Sequence, residues 1–396
     1  MPNFQSLRSF IFENGVLLFC FFLPLWPRLA VWMAALVFLS WLFRGSWSLL
    51  TRPLAILLPC LFLCYLAGMA WSENSQAGWP VLESKLSLLV FPMVLLGTPP
   101  EQLRPELWFR AFVAGCLAAV LGSLGWAAWT YFSTGESNFF YSKLGHFLGF
   151  HPTYFSMYLS LAIFGVALWP LPRKWIKYAL IGLFLVFIFL LSARMQLLIL
   201  AALSLGALWI SAYRKGAFRI AGIATAGGLA LFLGLLAILP TTRQRLERLY
   251  QPAPGELPNV RLQIWDASIT VIKRYPLTGA GTGDFKGELN DAYLAKGYLA
   301  PLKDKLNAHN QFLQTAGTLG IPAALFWVLC LGWPLVLAWK YRSPLYLLFL
   351  LLFLLSNLTE SMLQTQRGAM FYGFFNSLFL AGLLHRRTLQ NFVSRD

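Results

Sequence analysis

The chain has 396 residues, of which 58% are hydrophobic and only 12% charged, and its mean hydropathy is positive. That balance excludes a soluble protein of this size, and repeated apolar runs of about twenty residues specify a polytopic membrane protein. The excess of 31 Lys and Arg over 15 Asp and Glu, a formal net charge of +16, is read first as a topology signal and not as an affinity for nucleic acid.

The opening MPNFQSLRSF leads into an apolar run that is expected to be retained as a helix and not cleaved as a signal. Twelve candidate spans follow in chain order, at roughly 9–26, 29–43, 54–71, 81–97, 107–132, 152–169, 175–191, 194–212, 219–240, 311–339, 345–360 and 369–385. The second is short for a crossing and implies tilt or distortion. Spans seven and eight are joined by a tight hairpin around Leu191, Ser192, Ala193 and Arg194. No internal repeat is visible, which disfavours the inverted-repeat transporter folds. Cys20, Cys60, Cys64, Cys116 and Cys330 all fall in apolar runs, as small core residues and not as disulfides or metal ligands.

Alternate short loops differ sharply in basic residues. One set holds Arg44, Arg52, Arg104, Arg110, Arg173, Lys174, Lys177, Arg214, Lys215, Arg219, Lys340 and Arg342, with Arg386, Arg387 and Arg395 in the tail; the other holds Arg28, Lys143, Arg194 and Arg367. The positive-inside rule then places both termini in the cytoplasm and the long connection from about Thr241 to Ala308 outside. The chain divides accordingly into a bundle over 1–240, a periplasmic loop over 241–308 and a second bundle with a tail over 309–396. In the loop, TTRQRLERLY extends span nine as a basic helix. Asn259 is positioned to cap RLQIWDASITVIKRY, with Trp265, Ile269 and Ile272 on one face and Pro276 ending it. This apolar face suits a helix lying on the bilayer or against the bundle.

Ionisable residues meet the spans at one level. Glu83, Lys85, Arg194, His309, Glu360 and Arg367 all map to the outer face, where none has to sit at the bilayer centre. Such a ring under a basic loop suits a dianionic head group, such as a lipid-linked diphosphate. Arg194 is either an arginine snorkelling from a helix end or a bidentate phosphate ligand, and its near-loopless hairpin favours the second. Arg261, in the first turn of the loop helix, is either solvated or a second phosphate clamp. Arg243, Arg245 and Arg248 are weaker candidates, interrupted by Glu247 and ordinary beside anionic lipid. GAGTG at 279–283 lacks a strand–turn–helix context and reads as a plain turn. His309 is a base near neutral pH or an interface residue, with His146 and His151 as competitors on the same side. Asn310 either caps the following helix or meets substrate. No metal-ligand spacing occurs, so chemistry without a protein-bound metal or other cofactor is expected.

The order of an arginine in the SAR turn, NVRLQIWDASITVIKRYPLTGAGTGDF, AHNQFLQTAGTLGIPAALFW and TESMLQTQRGAMFYGFF resembles the superfamily of bacterial O-antigen ligases, O-antigen polymerases and related O-oligosaccharyltransferases. The resemblance covers most of the chain in topology and roughly Asn259 to Phe375 in motif. It implies an all-α membrane glycosyltransferase of the GT-C type in the bacterial inner membrane. This enzyme moves a preassembled glycan from undecaprenyl diphosphate to an acceptor at the periplasmic face, inverting the anomeric centre without a metal. By motif, it carries catalytic roles to Arg194, Arg261 and His309, and makes Glu360 the acid of the TES segment. Arg367, Lys85 and Asn310 join as substrate-binding candidates by position alone.

Among members of the superfamily the compact chain, with one dominant outer loop, favours the ligase that joins O-antigen to the lipid A–core of lipopolysaccharide. A polymerase or a protein O-oligosaccharyltransferase is the alternative. A lipid-linked glycan flippase belongs to another class and would want polar groups at mid-membrane depth. A non-catalytic envelope scaffold would give no reason for an arginine in a near-loopless hairpin.

Overall fold

A computed structural model describes residues 4–43, 53–238 and 259–393. Arg44, Arg52, Arg395 and the TTRQRLERLY extension, with Arg243, Arg245 and Arg248, lie outside the described residues. Each of the apolar runs forms a helix: α1 (Phe4–Phe22), α2 (Pro27–Leu42), α3 (Pro53–Ala67), α4 (Ser75–Lys85) with α5 (Ser87–Gly97), α6 (Pro105–Thr134), α8 (Pro152–Leu168), α9 (Lys174–Leu190), α10 (Arg194–Lys215), α11 (Phe218–Ile238), α15 (Gln311–Lys340), α16 (Pro344–Asn357) and α17 (Gln366–Val393). Between them stand α7 (Tyr141–His146) and, in the long loop, α12 (Val260–Arg274), α13 (Phe285–Ala295) and α14 (Leu299–Lys303). No strand occurs among the described residues. Hydrocarbon offers backbone groups no partner, so such runs satisfy themselves as helices. Local signals fix several starts: Pro27, Pro105, Pro152 and Pro344 each sit in a first turn, where a missing N–H costs nothing.

Five stretches, Ser75–Gly97, Pro105–Thr134, Arg194–Lys215, Gln311–Lys340 and Gln366–His385, are long and apolar enough to cross a membrane. Shorter apolar helices at Pro27–Leu42, Ala55–Ala67, Pro152–Leu168 and Pro344–Asn357 accompany them, and the chain is a multi-pass membrane protein. At its centre stands α17, packed most closely on α5. Its Phe371, Phe375 and Phe379 meet Phe109, Tyr158 and Phe349 in tilted, stacked and edge-to-face pairs. Between helices that lipid would solvate equally well, such fitted contacts supply the cohesion.

Two spans are less regular than the sequence suggests. The fourth begins early, at Ser75, where the Asn74 side chain accepts from Ala77 N–H, and it breaks between Lys85 and Ser87. The tenth is interrupted at Gly320, whose φ is 85°. Ile321 N–H leaves the helix ladder there and donates to Pro276 O at 2.8 Å, and Pro322 starts the second segment.

That break receives the glycine-rich turn. Ala280 N–H donates to Gly317 O, Gly281 N–H to Thr318 O, Thr282 N–H to Gly68 O and Gly283 N–H to Ser72 Oγ. The Asp284 carboxylate accepts from the Glu73 and Asn74 N–H groups, both at 2.8 Å. GAGTG is therefore a clasp between the outer loop, α15 and the α3–α4 connection, and its N–H groups are committed to protein acceptors, not to a phosphate. A Cβ at Gly320 would lie 2.1 Å from Leu277 O, in a backbone region that disfavours side chains. Gly320→Ala is therefore expected to cost about 2–4 kcal/mol, read as a lower thermal unfolding midpoint in detergent; an unchanged midpoint would show that the break relaxes freely.

The loop helix α12 is capped as expected, with Asn259 Oδ1 accepting from Arg261 N–H at 2.9 Å. Its buried face is not the Trp265, Ile269 and Ile272 face. Gln263, Ile264, Ala267, Ser268 and Val271 are buried instead, and Ile269 is exposed. The small residues let α12 pack closely on α13 and α15, in a separate core that includes Phe285, Leu289 and Ala308. Asp266 holds this unit by accepting from Lys296 Nζ and Tyr298 O–H, both at 2.8 Å.

Candidate active site

Asn310 caps α15: its Oδ1 accepts from the N–H groups of Phe312 and Leu313, while its Nδ2 donates to Leu358 O at 3.2 Å. Both polar atoms of this side chain thus clamp the start of α15 to the end of α16. The residue before it, His309, has φ of 42°, and its N–H donates to Asn307 Oδ1 at 2.9 Å. Non-glycine residues in this region are uncommon, histidine among the more tolerant, and such strain concentrates at functional positions.

The strained backbone aims the ring. His309 Nδ1 lies 3.0 Å from Glu360 Oε2, with the histidine side chain 24% exposed and the glutamate 8%. Glu360 follows α16, its N–H donating to Ser356 O and its Oε1 accepting from Ser361 N–H at 3.0 Å. Burial pushes the Glu360 carboxyl up, yet the His309 hydrogen bond and charge, the Ser361 N–H and nearby His151 together hold it below its ordinary value. An ionised carboxylate only accepts, so Nδ1 of His309 is the nitrogen that donates to Glu360, and in the neutral imidazole Nε2 then presents its lone pair. Among the described residues Nε2 has no hydrogen-bond partner.

This linkage has a sign. Glu360 binds its proton less readily folded than unfolded, so its contribution to stability is present above the unfolded value, ordinarily 4.5, and is lost as pH falls through the lower folded value. Thermal stability of the wild type should decline with acid in that window more steeply than that of Glu360→Gln; parallel profiles would mean that the pair is not coupled to folding.

A buried polar chain runs beneath the pair. Gln311 Oε1 accepts from Leu363 N–H at 2.7 Å, and Gln311 Nε2 donates to Thr315 Oγ1 at 3.0 Å. Thr315 Oγ1 is 3.4 Å from Tyr65 O–H, and Lys85 Nζ sits 4.6 Å from the Tyr65 ring centroid. Lys85 is wholly buried, reaching only Val81 O and Ser84 Oγ, each at 3.4 Å. No carboxylate among the described residues pairs with it. An ammonium buried there without a counter-ion would be costly.

Near the Glu360 segment lies a cavity of 480 Å³ lined by Arg28, Trp32, Glu83, His151, Tyr154 and Arg367, among others. Tyr154 O–H donates to Ser361 O at 3.2 Å, next to Glu360. Arg367 does not pair with Glu360: its guanidinium packs 4.1 Å from the Phe150 ring centroid and donates to Gly149 O, and Tyr158 O–H donates to Arg367 O at 2.9 Å. Burial lowers the His151 imidazole below its ordinary value, with Glu360 opposing and His309 adding to the effect.

The two remaining arginines stand on separate elements. Arg194 is the first residue of α10 and is half-buried; two residues on, Gln196 Nε2 donates to Ser356 Oγ at 2.9 Å, locking α10 to the turn of α16 that holds Glu360. Arg261, also half-buried, is one turn from Ile264, which belongs to the same small core as Ala308, the neighbour of His309. The described contacts directly join His309, Asn310 and the Glu360 segment; Arg194 stands on α10, which Gln196 fastens to Ser356, and Arg261 on α12, whose Ile264 shares a small core with Ala308. Sequence reasoning missed the Gln311–Thr315–Tyr65 chain and the inclusion of Arg28 in the cavity wall. An arginine immediately after Pro27 on the sparsely basic side was the available signal.

No curated protein sequence matches the chain. A family model does match, over residues 178–328, from α9 to the middle of α15. This segment contains Arg194, Arg261, His309 and Asn310 and leaves out Lys85, Glu360 and Arg367. The matching family is described as O-antigen ligase, so this segment is similar to the O-antigen ligase/polymerase superfamily.

Proposed function

We propose that the protein is an inner-membrane glycosyltransferase that moves O-antigen from undecaprenyl diphosphate to a sugar hydroxyl of lipid A–core at the periplasmic face. The single observation that carries this reading is the imidazole of His309, held by Glu360 in a strained conformation within the segment that matches the O-antigen ligase family. With Nδ1–H donated to Glu360, Nε2 takes the proton from the acceptor hydroxyl. The acceptor oxygen attacks the anomeric carbon, the C–O bond to the diphosphate breaks, and the diphosphate leaves with the electron pair. In-line attack inverts the anomeric centre. Arg194 and Arg261 neutralise the charge that grows on the leaving group, the work a metal ion does in other enzymes.

Basic residues concentrated in alternate loops support cytoplasmic termini and a periplasmic site. The deciding experiment uses purified protein, a synthetic undecaprenyl-diphosphate glycan and rough lipopolysaccharide, with products separated on a gel. Glycan transfer to lipopolysaccharide is the expected result. Glycan-to-glycan elongation would make the protein a polymerase, and no covalent product would reject a transferase altogether.

A further inference from the structure

The geometry points to the cavity beside Glu360 as a binding site for an anionic sugar of the acceptor, separate from the arginines that face the donor diphosphate. This inference rests on the glycan-transfer reading. Four observations carry it. First, the 480 Å³ cavity is lined by two guanidinium groups, Arg28 and Arg367, together with the carboxylate of Glu83, the imidazole of His151 and the indole of Trp32. Guanidinium forks match phosphate or carboxylate oxygens, a carboxylate and an imidazole take sugar hydroxyls, and an indole face covers a sugar ring. Its volume lies within the range of small-molecule sites, about 300–1,000 Å³.

Second, Arg367 is preset. Phe150 under the guanidinium and one bond to Gly149 O fix its plane, and four of its five N–H groups remain for a ligand. Third, the cavity adjoins the reaction centre without being part of the donor side. Tyr154 in its wall donates to Ser361 O, next to Glu360, whereas Arg28 and Trp32 ride on α2, which packs on α1 and α5. Arg194 rides on α10, which packs on α8, α9, α11 and α16. A ligand here would lie beside the segment whose Glu360 holds His309.

Fourth, an apolar stripe leaves the cavity along α2. Trp32, Leu36, Leu39 and Phe43 are exposed at helical spacing, and Trp26 and Trp32 flank the start of α2 as residues of a head-group level do. An amphiphile whose charged sugar fills the cavity would lay its acyl chains on that stripe. The occupant is therefore a phosphorylated sugar of a membrane-embedded acceptor.

Steady-state transfer tests this with rough lipopolysaccharide carrying core phosphates and with the same material after hydrofluoric acid dephosphorylation. Removing the phosphates should raise the wild-type acceptor KM about tenfold, and Arg28→Ala should raise it about as much on the intact acceptor. The two losses should not add, and donor KM should stay unchanged. An altered donor KM, an unchanged acceptor KM, or additive losses would overturn the assignment. Arg28 is exposed at a helix start, and Arg28→Gln, which keeps the side-chain length, should reproduce the alanine result. If the wild type transfers no glycan, the transfer reading fails and the cavity is judged by binding alone. Rough lipopolysaccharide held tightly by wild type and at least fivefold more weakly by Arg28→Ala keeps the site; equal binding removes it.

Discussion

Replacing His309 by alanine is expected to cut glycan transfer by about 10²–10⁴-fold in kcat, the usual contribution of a general base. Its Nδ1 is committed to a buried carboxylate at 3.0 Å, so the opposite nitrogen is the one available to an acceptor hydroxyl. Alanine is a demanding test because the backbone there has φ of 42°, a conformation that alanine tolerates poorly. Asparagine tolerates it better. His309→Asn should therefore keep the fold, measured as thermal stability in detergent, and lose activity to the same extent. Full activity in His309→Asn would remove the imidazole from the chemistry and leave only a backbone role. Glu360→Gln should fall between, because an amide can still orient the ring but no longer stabilises the imidazolium formed when the proton is taken.

Arg194→Lys is expected to lose about 10²-fold or more in kcat/KM, close to the loss in Arg194→Ala, although the formal charge is kept. A guanidinium presents a planar fork to two phosphate oxygens, while an ammonium acts as a point charge on a flexible stem. The position is rigid. Ser192 has φ of 52°, Arg194 N–H donates to Ser192 O at 2.9 Å, and Gln196 fastens the first turn of α10 to α16. A lysine there cannot shift its backbone to recover the missing contact. A structural arginine would behave differently: thermal stability would drop in step with activity, and the donor KM would be spared. Wild-type rates in Arg194→Lys would assign it to helix anchoring alone.

Much of the fold was legible because the bilayer imposes a local rule. Each apolar run has to close its own hydrogen bonds, so composition alone predicts the helices, and proline or asparagine at their starts predicts several boundaries. The break in α15 was less visible. GIP at 320–322 carries the glycine and proline that permit it, but the acceptor for Ile321 N–H is the carbonyl of Pro276, on another element. The face that α12 buries against the protein was hidden for a related reason. Apolarity favours Trp265 and Ile269, yet close packing on α13 and α15 selected the smaller Ala267 and Ser268.

The sequence by itself determined a helical membrane protein and the HN and arginine motifs, because these depend on neighbours a few positions apart. Only the tertiary structure decided which groups meet. Glu360 reaches His309 and not Arg367, the amide of Asn310 ties two helices together, and Arg28, His151 and Arg367 come to one cavity from three parts of the chain. Those pairings span tens to hundreds of residues and follow from how the helices pack, where many small contacts of similar strength compete and no single residue type dictates the outcome.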